Sequence, residues 1–108
     1  MIAAWLAQIL RTADVMSNNV FISFEFNRPD RTYDRVVRAI KSLGETSTEV
    51  HYAHWYVATP LTAKQVCDRL KSVLDATDKL IVVDTTNDKA AWVNLGAEAV
   101  KRLQAQGY

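Results

Sequence analysis

The chain has 108 residues, 49% of them apolar and 23% charged, a balance that fits one globular domain with a modest core and excludes both a disordered and a membrane-embedded chain. Its net charge of +1 excludes a heavily basic nucleic-acid coat protein, so any phosphate contact must come from a local patch. The single cysteine, Cys67, excludes an internal disulfide and a multi-cysteine zinc site; it reads as a small buried hydrophobe in a reducing compartment.

Ile2, Trp5, Leu6, Ile9, Leu10 and Ala13 recur at helical spacing, which predicts an N-terminal helix over residues 1–14 that packs on its own domain or on a partner subunit. No basic segment precedes Ile2, and Gln8 and Arg11 interrupt the apolar run. The segment therefore does not read as a signal peptide, and the chain is expected to be soluble, cytoplasmic and without membrane contact. Ser17-Asn18-Asn19 breaks the helical period and is expected to be a turn.

From Val20 to Phe26 apolar residues alternate, with Val20, Ile22, Phe24 and Phe26 on one face and Phe21, Ser23 and Glu25 on the other. A polar loop with Pro29 leads into a helix that ends at Gly44. Its apolar face holds Tyr33, Val36, Val37, Ile40 and Leu43, and its other side holds Arg31, Arg35 and Arg38, with Arg28 and Lys41 beside them. Residues 45–49 read as a polar connection. Val50 to Thr59 reads either as one long strand or as a hairpin bent near Tyr52 to His54, and Pro60 ends it.

Thr62 and Gln65 form a capping box that opens a helix running to about Thr77, with Ala63, Val66, Cys67, Leu70, Val73 and Leu74 inward. Pairs Lys64 with Asp68 and Lys71 with Asp75 are expected on its outer side. Leu80 to Asp84 reads as a strand buried on both faces or nearly so, and Asn87 to Lys89 as a turn. A short edge strand over Ala90 to Leu95 and a C-terminal helix within residues 96–108 complete the chain. The fold class is α+β, a ferredoxin-like βαββαβ sandwich with an extra N-terminal helix and a short C-terminal helix. It forms one domain over residues 1–108, with its core in residues 19–95. The helices containing Val37 and Leu70 are expected on the same sheet face.

Chemistry-bearing residues are few. His51 and His54 fall on opposite faces of a continuous strand and converge only across a bend, with no clear third ligand nearby. No serine or cysteine sits in a nucleophile context, and the glycines are too scattered to cradle a phosphate. Glu25 is the candidate catalytic and metal-binding residue: a carboxylate at a strand end, doubled by two-fold symmetry, is expected to hold Mg²⁺ or Mn²⁺ for phosphodiester chemistry, the alternative being an ordinary solvated or hydrogen-bonded strand glutamate that binds no metal. Arg28, Arg31, Arg35, Arg38 and Lys41 are the candidate nucleic-acid contacts, the alternative being a solvated helix face whose charge Asp30 and Asp34 dilute. Phe21 on the sheet face away from the helices points to a homodimer.

The segments FEFN (Phe24 to Asn27), YDRVVRAIKSLG (ending at Gly44), the strand with Trp55, LTAKQVCDRL (Leu61 to Leu70) and LDATDKLIVV (Leu74 to Val83) follow one another in a telling order. In these the chain resembles the small CRISPR-associated spacer-acquisition subunits, the Cas-two family, and their SinR-like and VapD-like relatives, most of all the SinR-like branch. The resemblance covers roughly residues 20 to 95. It implies a ferredoxin-like homodimer whose business is RNA or DNA, catalytic in some members and a scaffold in others. Glu25 stands where the family has a strand-end aspartate implicated in metal-dependent cleavage, one methylene longer. Two functions are expected from this reading: a nucleic-acid-associated homodimer with metal-dependent endonuclease activity, or a non-enzymatic homodimer that acts through contacts with another protein.

Overall fold

The computed structural model describes residues 17–108, apart from the side chains of residues 29–31. The helix expected over residues 1–14, with Trp5, lies outside the described residues. The described elements are β1 (Asn18–Glu25), α1 (Pro29–Lys41), β2 (Thr46–His51), β3 (His54–Thr59), α2 (Ala63–Lys71), β4 (Lys79–Asp84), β5 (Lys89–Val93) and α3 (Ala97–Ala105). The five strands form one sheet in the order β2-β3-β1-β4-β5, and every neighbouring pair is antiparallel. The architecture is α+β, with three helices among the described residues. None of these helices is long and apolar enough to cross a membrane.

Strand alternation decides which side of the sheet becomes the core. Val20, Ile22 and Phe24 of β1, Trp55 and Val57 of β3, and Leu80 and Val82 of β4 all face the same way and are buried. Val36 and Ile40 of α1 and Val66, Cys67 and Leu70 of α2 join them in a single cluster, so both helices cover the same sheet face. Phe21, Ser23, Glu25, His54, Tyr56, Ile81 and Val83 stand on the other, distal face. Ile81 and Val83 are half-buried there. β4 is thus closed on one side only, because neither α1 nor α2 reaches its second face.

Local chemistry sets the element ends. Pro29 suits the first turn of α1, where its missing N–H costs nothing. At α2 the capping box forms as the sequence requires: the Gln65 amide donates to Thr62 Oγ1 at 3.1 Å, and the Thr62 amide donates to Gln65 Oε1 at 2.9 Å. α2 stops at Lys71, short of the expected Thr77. Ser72 Oγ donates to the Arg69 carbonyl at 2.7 Å, and Val73 and Leu74 close tight turns onto Leu70 and Lys71. Val73 and Leu74 still pack against the core.

Two further expectations, the connection over residues 45–49 and the pair of Lys71 with Asp75, are corrected, and the alternative left open over residues 50–59 is decided. The polar residues 46–49 are part of an edge strand rather than a connection; an edge strand that is mostly exposed has no need of apolar alternation. Residues 50–59 are a hairpin, turned at Tyr52 and Ala53, where Ala53 takes φ of 63° without glycine. The expected pair of Lys71 with Asp75 is replaced by one of Arg35 with Asp75 at 3.3 Å, since the helix no longer presents Asp75 one turn beyond Lys71. Lys64 and Asp68 pair as expected, at 3.1 Å.

Gly44 joins α1 to β2 at a point of close approach. A β-carbon there would stand 1.9 Å from the Ala58 carbonyl oxygen, a contact no backbone accommodates without moving. The adjoining Thr59, fully buried, donates its hydroxyl to the Leu43 carbonyl at 2.7 Å and fixes the same junction. Gly44→Ala is therefore expected to destabilise the fold by at least about 2 kcal/mol, as overpacking does. Gly96→Ala, which meets nothing within 4 Å, should stay within about 1 kcal/mol of wild type. Urea midpoints for the two variants check this, and equal midpoints would refute the close approach.

Candidate functional site

Glu25 is the last residue of β1, exposed on the distal face, with Lys79 of β4 directly opposite it in the sheet register. Ser23, Tyr52, His54, Ile81 and Leu95 join the two in lining a cleft of about 370 Å³. The cleft lies where the β2–β3 hairpin leans on the end of β1, because the Phe24 amide donates to the Ala53 carbonyl at 3.1 Å.

Aromatic rings hold this corner from the core side. Phe24 and Phe26 stack with centroids 4.5 Å apart, and Tyr33 meets both edge-on. Tyr33 in turn stacks parallel to Tyr52 at 5.6 Å, and Tyr52 is 66% exposed at the hairpin tip. The Tyr33 hydroxyl donates to the Glu49 carboxylate. That hydrogen bond, with burial and the Glu49 charge behind it, raises the Tyr33 pKa above the usual tyrosine value, while the nearby Trp55 indole works the other way. Trp55 itself is buried, and its Nε1 has no hydrogen-bond partner of ordinary geometry among the described residues.

Two buried carboxylates frame the sheet ends. Asp78, fully buried, accepts the Asn27 amide at 2.8 Å and the Asp75 amide at 2.7 Å. It thereby ties the loop after Glu25 to the loop before Lys79. Asp84 accepts the amides of Thr86 and Asn87 and the Asn87 side chain, which organises the β4–β5 turn. Both carboxylates spend their lone pairs on backbone and neighbouring groups, the condition for burying a charge.

The structure separates the two sets of residues that the sequence singles out. Arg35 and Arg38 stand on the outer side of α1, on the opposite side of the sheet from Glu25. Arg35 is engaged by Asp75, and Lys41 Nζ lies 5.9 Å over the Trp55 ring. Arg38 is exposed on α1, and Arg28 is exposed in the loop that leads from the Glu25 strand. The Arg31 side chain lies outside the described ones. Conversely, the turn brings together what linear spacing separates: His51 and His54 are opposed across the hairpin, ring centroids 4.0 Å apart. Tyr52, Glu49 and Lys79 were not singled out in the sequence; the alternation of Thr46, Thr48 and Val50 with their neighbours is the one signal for the strand that carries Glu49.

Comparison of the chain with protein-family models, with curated proteins and with solved structures gave no match.

The Tyr33–Glu49 bond has a signature in pH. The folded chain holds the Tyr33 proton above pH 10, where the unfolded chain releases it, so the stabilisation is complete below about pH 10 and is lost as pH rises through the folded value. Urea unfolding of wild type and Tyr33→Phe should show a difference at pH 8 that shrinks by pH 11. A difference that holds constant across that range would show that Tyr33 does not titrate as described.

Proposed function

We propose that the chain is a ferredoxin-like, Cas-two-like homodimer that pairs through the distal sheet face and associates with nucleic acid. The βαββαβ order of the elements and the strand order of the first four strands support the fold name. The observation that carries the dimer is Phe21. It sits mid-strand in β1, is 43% exposed, packs 5.3 Å from Tyr56, and has the half-buried Ile81 and Val83 on the neighbouring strand. An apolar patch on a central strand that neither α1 nor α2 covers is a surface for a second copy. Arg28 and Arg38, both exposed, offer phosphate contacts.

The donor set around Glu25 does not fit Mg²⁺ or Mn²⁺ within one protomer. It offers one carboxylate with an ammonium opposite, and among the described residues no group of three or more His, Cys, Asp or Glu converges. A hydrolytic role for Glu25 would need the two-fold doubling that a dimer supplies, and the reading we favour is a binding scaffold. The second reading, a module that contacts another protein, is favoured by the engagement of Arg35 with Asp75 and of Lys41 with Trp55, which draws two cations away from phosphate.

Sedimentation at tens of micromolar is expected to give a dimer mass for wild type and a monomer mass for a folded Phe21→Glu variant; a wild-type monomer would refute the pairing. Fluorescence anisotropy with single- and double-stranded RNA and DNA should then show salt-dependent binding. The double variant Arg28→Ala and Arg38→Ala should flatten the salt dependence by about one unit of slope per lost contact. No binding to any of the four would leave the protein-contact reading. Metal-dependent cleavage by wild type that disappears in Glu25→Gln would restore the nuclease.

A further inference from the structure

The hairpin between β2 and β3 places two imidazoles side by side. His51 ends β2, His54 begins β3, and the left-handed Ala53 at φ 63° folds the chain back so that the two histidines are partners across the ladder. The register shifts between Glu49 and His51, an irregularity that re-aims side chains at a sheet edge. His54 is also paired with Ser23 of β1, which puts it on the distal face. A cavity of about 210 Å³ opens there, lined by both histidines with Phe21, Ser23, Val50 and Ile81.

The ring centroids are 4.0 Å apart and the planes are inclined at 48°. A divalent ion bound to one nitrogen of each ring at about 2.0–2.1 Å would stand about 3.2 Å from each ring centre. Ligands at right angles then need centroids about 4.5 Å apart, and ligands at the tetrahedral angle about 5.2 Å. The observed spacing is within about half an ångström of the first and more than an ångström short of the second. The exposed His51 can supply the smaller adjustment by a side-chain rotation.

We infer that His51 and His54 chelate a divalent first-row ion of tetragonal preference, Ni²⁺ or Cu²⁺, through one ring nitrogen each. Two adjacent imidazole nitrogens suit such borderline ions better than hard Mg²⁺, which distinguishes this site from any carboxylate chemistry at Glu25. Among the described residues no third His, Cys, Asp or Glu joins the pair. The remaining coordination positions therefore belong to water or an exchangeable ligand and face the cavity. The inference does not rest on nucleic acid, and its cavity shares Phe21 and Ile81 with the face proposed for pairing, so the titration is run on the folded Phe21→Glu monomer as well as on wild type.

Calorimetric titration of the full chain with NiCl₂ tests it, with ZnCl₂ as the comparison. The expected result is one Ni²⁺ per chain, bound more tightly than Zn²⁺. Affinity should fall at least about tenfold in His51→Gln and in His54→Gln, with circular dichroism showing both variants folded. In wild type, substoichiometric Cu²⁺ should broaden the ring resonances of His51 and His54 before any others in a proton NMR spectrum. Ni²⁺ binding that persists in the folded double variant, Zn²⁺ binding tighter than Ni²⁺, or no ion bound by wild type at millimolar concentration would each overturn it.

Discussion

The alternation of side chains along β1 is the constraint on which the molecule depends. β1 is the central strand, bonded to β3 on one side and β4 on the other, so its two faces set the character of the whole sheet. Val20, Ile22 and Phe24 on one face dictate where α1 and α2 must pack to remove apolar surface from water. Phe21, Ser23 and Glu25 on the other face are left outside that cluster. A one-residue slip would exchange the two sets, and the packing of both helices makes that slip prohibitively costly.

Around this strand the ends are fixed by polar chemistry rather than by burial of apolar area. Asp78 ties the exit of β1 to the entry of β4, and Asn94 donates to the Ala76 and Asp78 carbonyls at 2.9 Å, so β5 is drawn into the same knot. Asp75 holds α1 through Thr32 Oγ1 at 3.0 Å and through Arg35. These contacts position Glu25, Lys79 and the hairpin tip relative to one another. The distal cleft therefore inherits its shape from the buried Asp78 and the half-buried Asp75, neither of which lines it.

Much of this was legible in the sequence, and the reasons differ from element to element. β1, α1 and α2 announce themselves because each buries one face, which imposes a period on the apolar residues; the Thr62–Gln65 box adds a start signal that needs no tertiary context. β2 was hidden because a mostly exposed edge strand obeys no apolar period. The hairpin turn near Tyr52 stood only as one of two alternatives, because Ala53 takes a left-handed conformation without the glycine or asparagine that usually marks one. At the site, the position of Glu25 on the distal face followed from simple alternation. The partnership of Asp75 with Arg35 and the separation of Glu25 from Arg35 and Arg38 did not, since each depends on which strands and helices become neighbours, and the approach of His51 to His54 waited on the choice of hairpin over continuous strand.

The central claim is that the distal face of β1 is a contact surface for a second copy. It can be read directly from the three phenylalanines by fluorine NMR of the chain labelled with fluorophenylalanine, in the presence of a soluble gadolinium chelate and over a range of protein concentrations. Phe21 is 43% exposed in the protomer and Phe24 is 5% exposed, so the two resonances start far apart in their relaxation by the chelate. If copies pair through this face, the Phe21 enhancement falls toward that of Phe24 as concentration rises, while Phe24 and Phe26 stay unchanged. A Phe21 enhancement that does not depend on concentration would contradict the account.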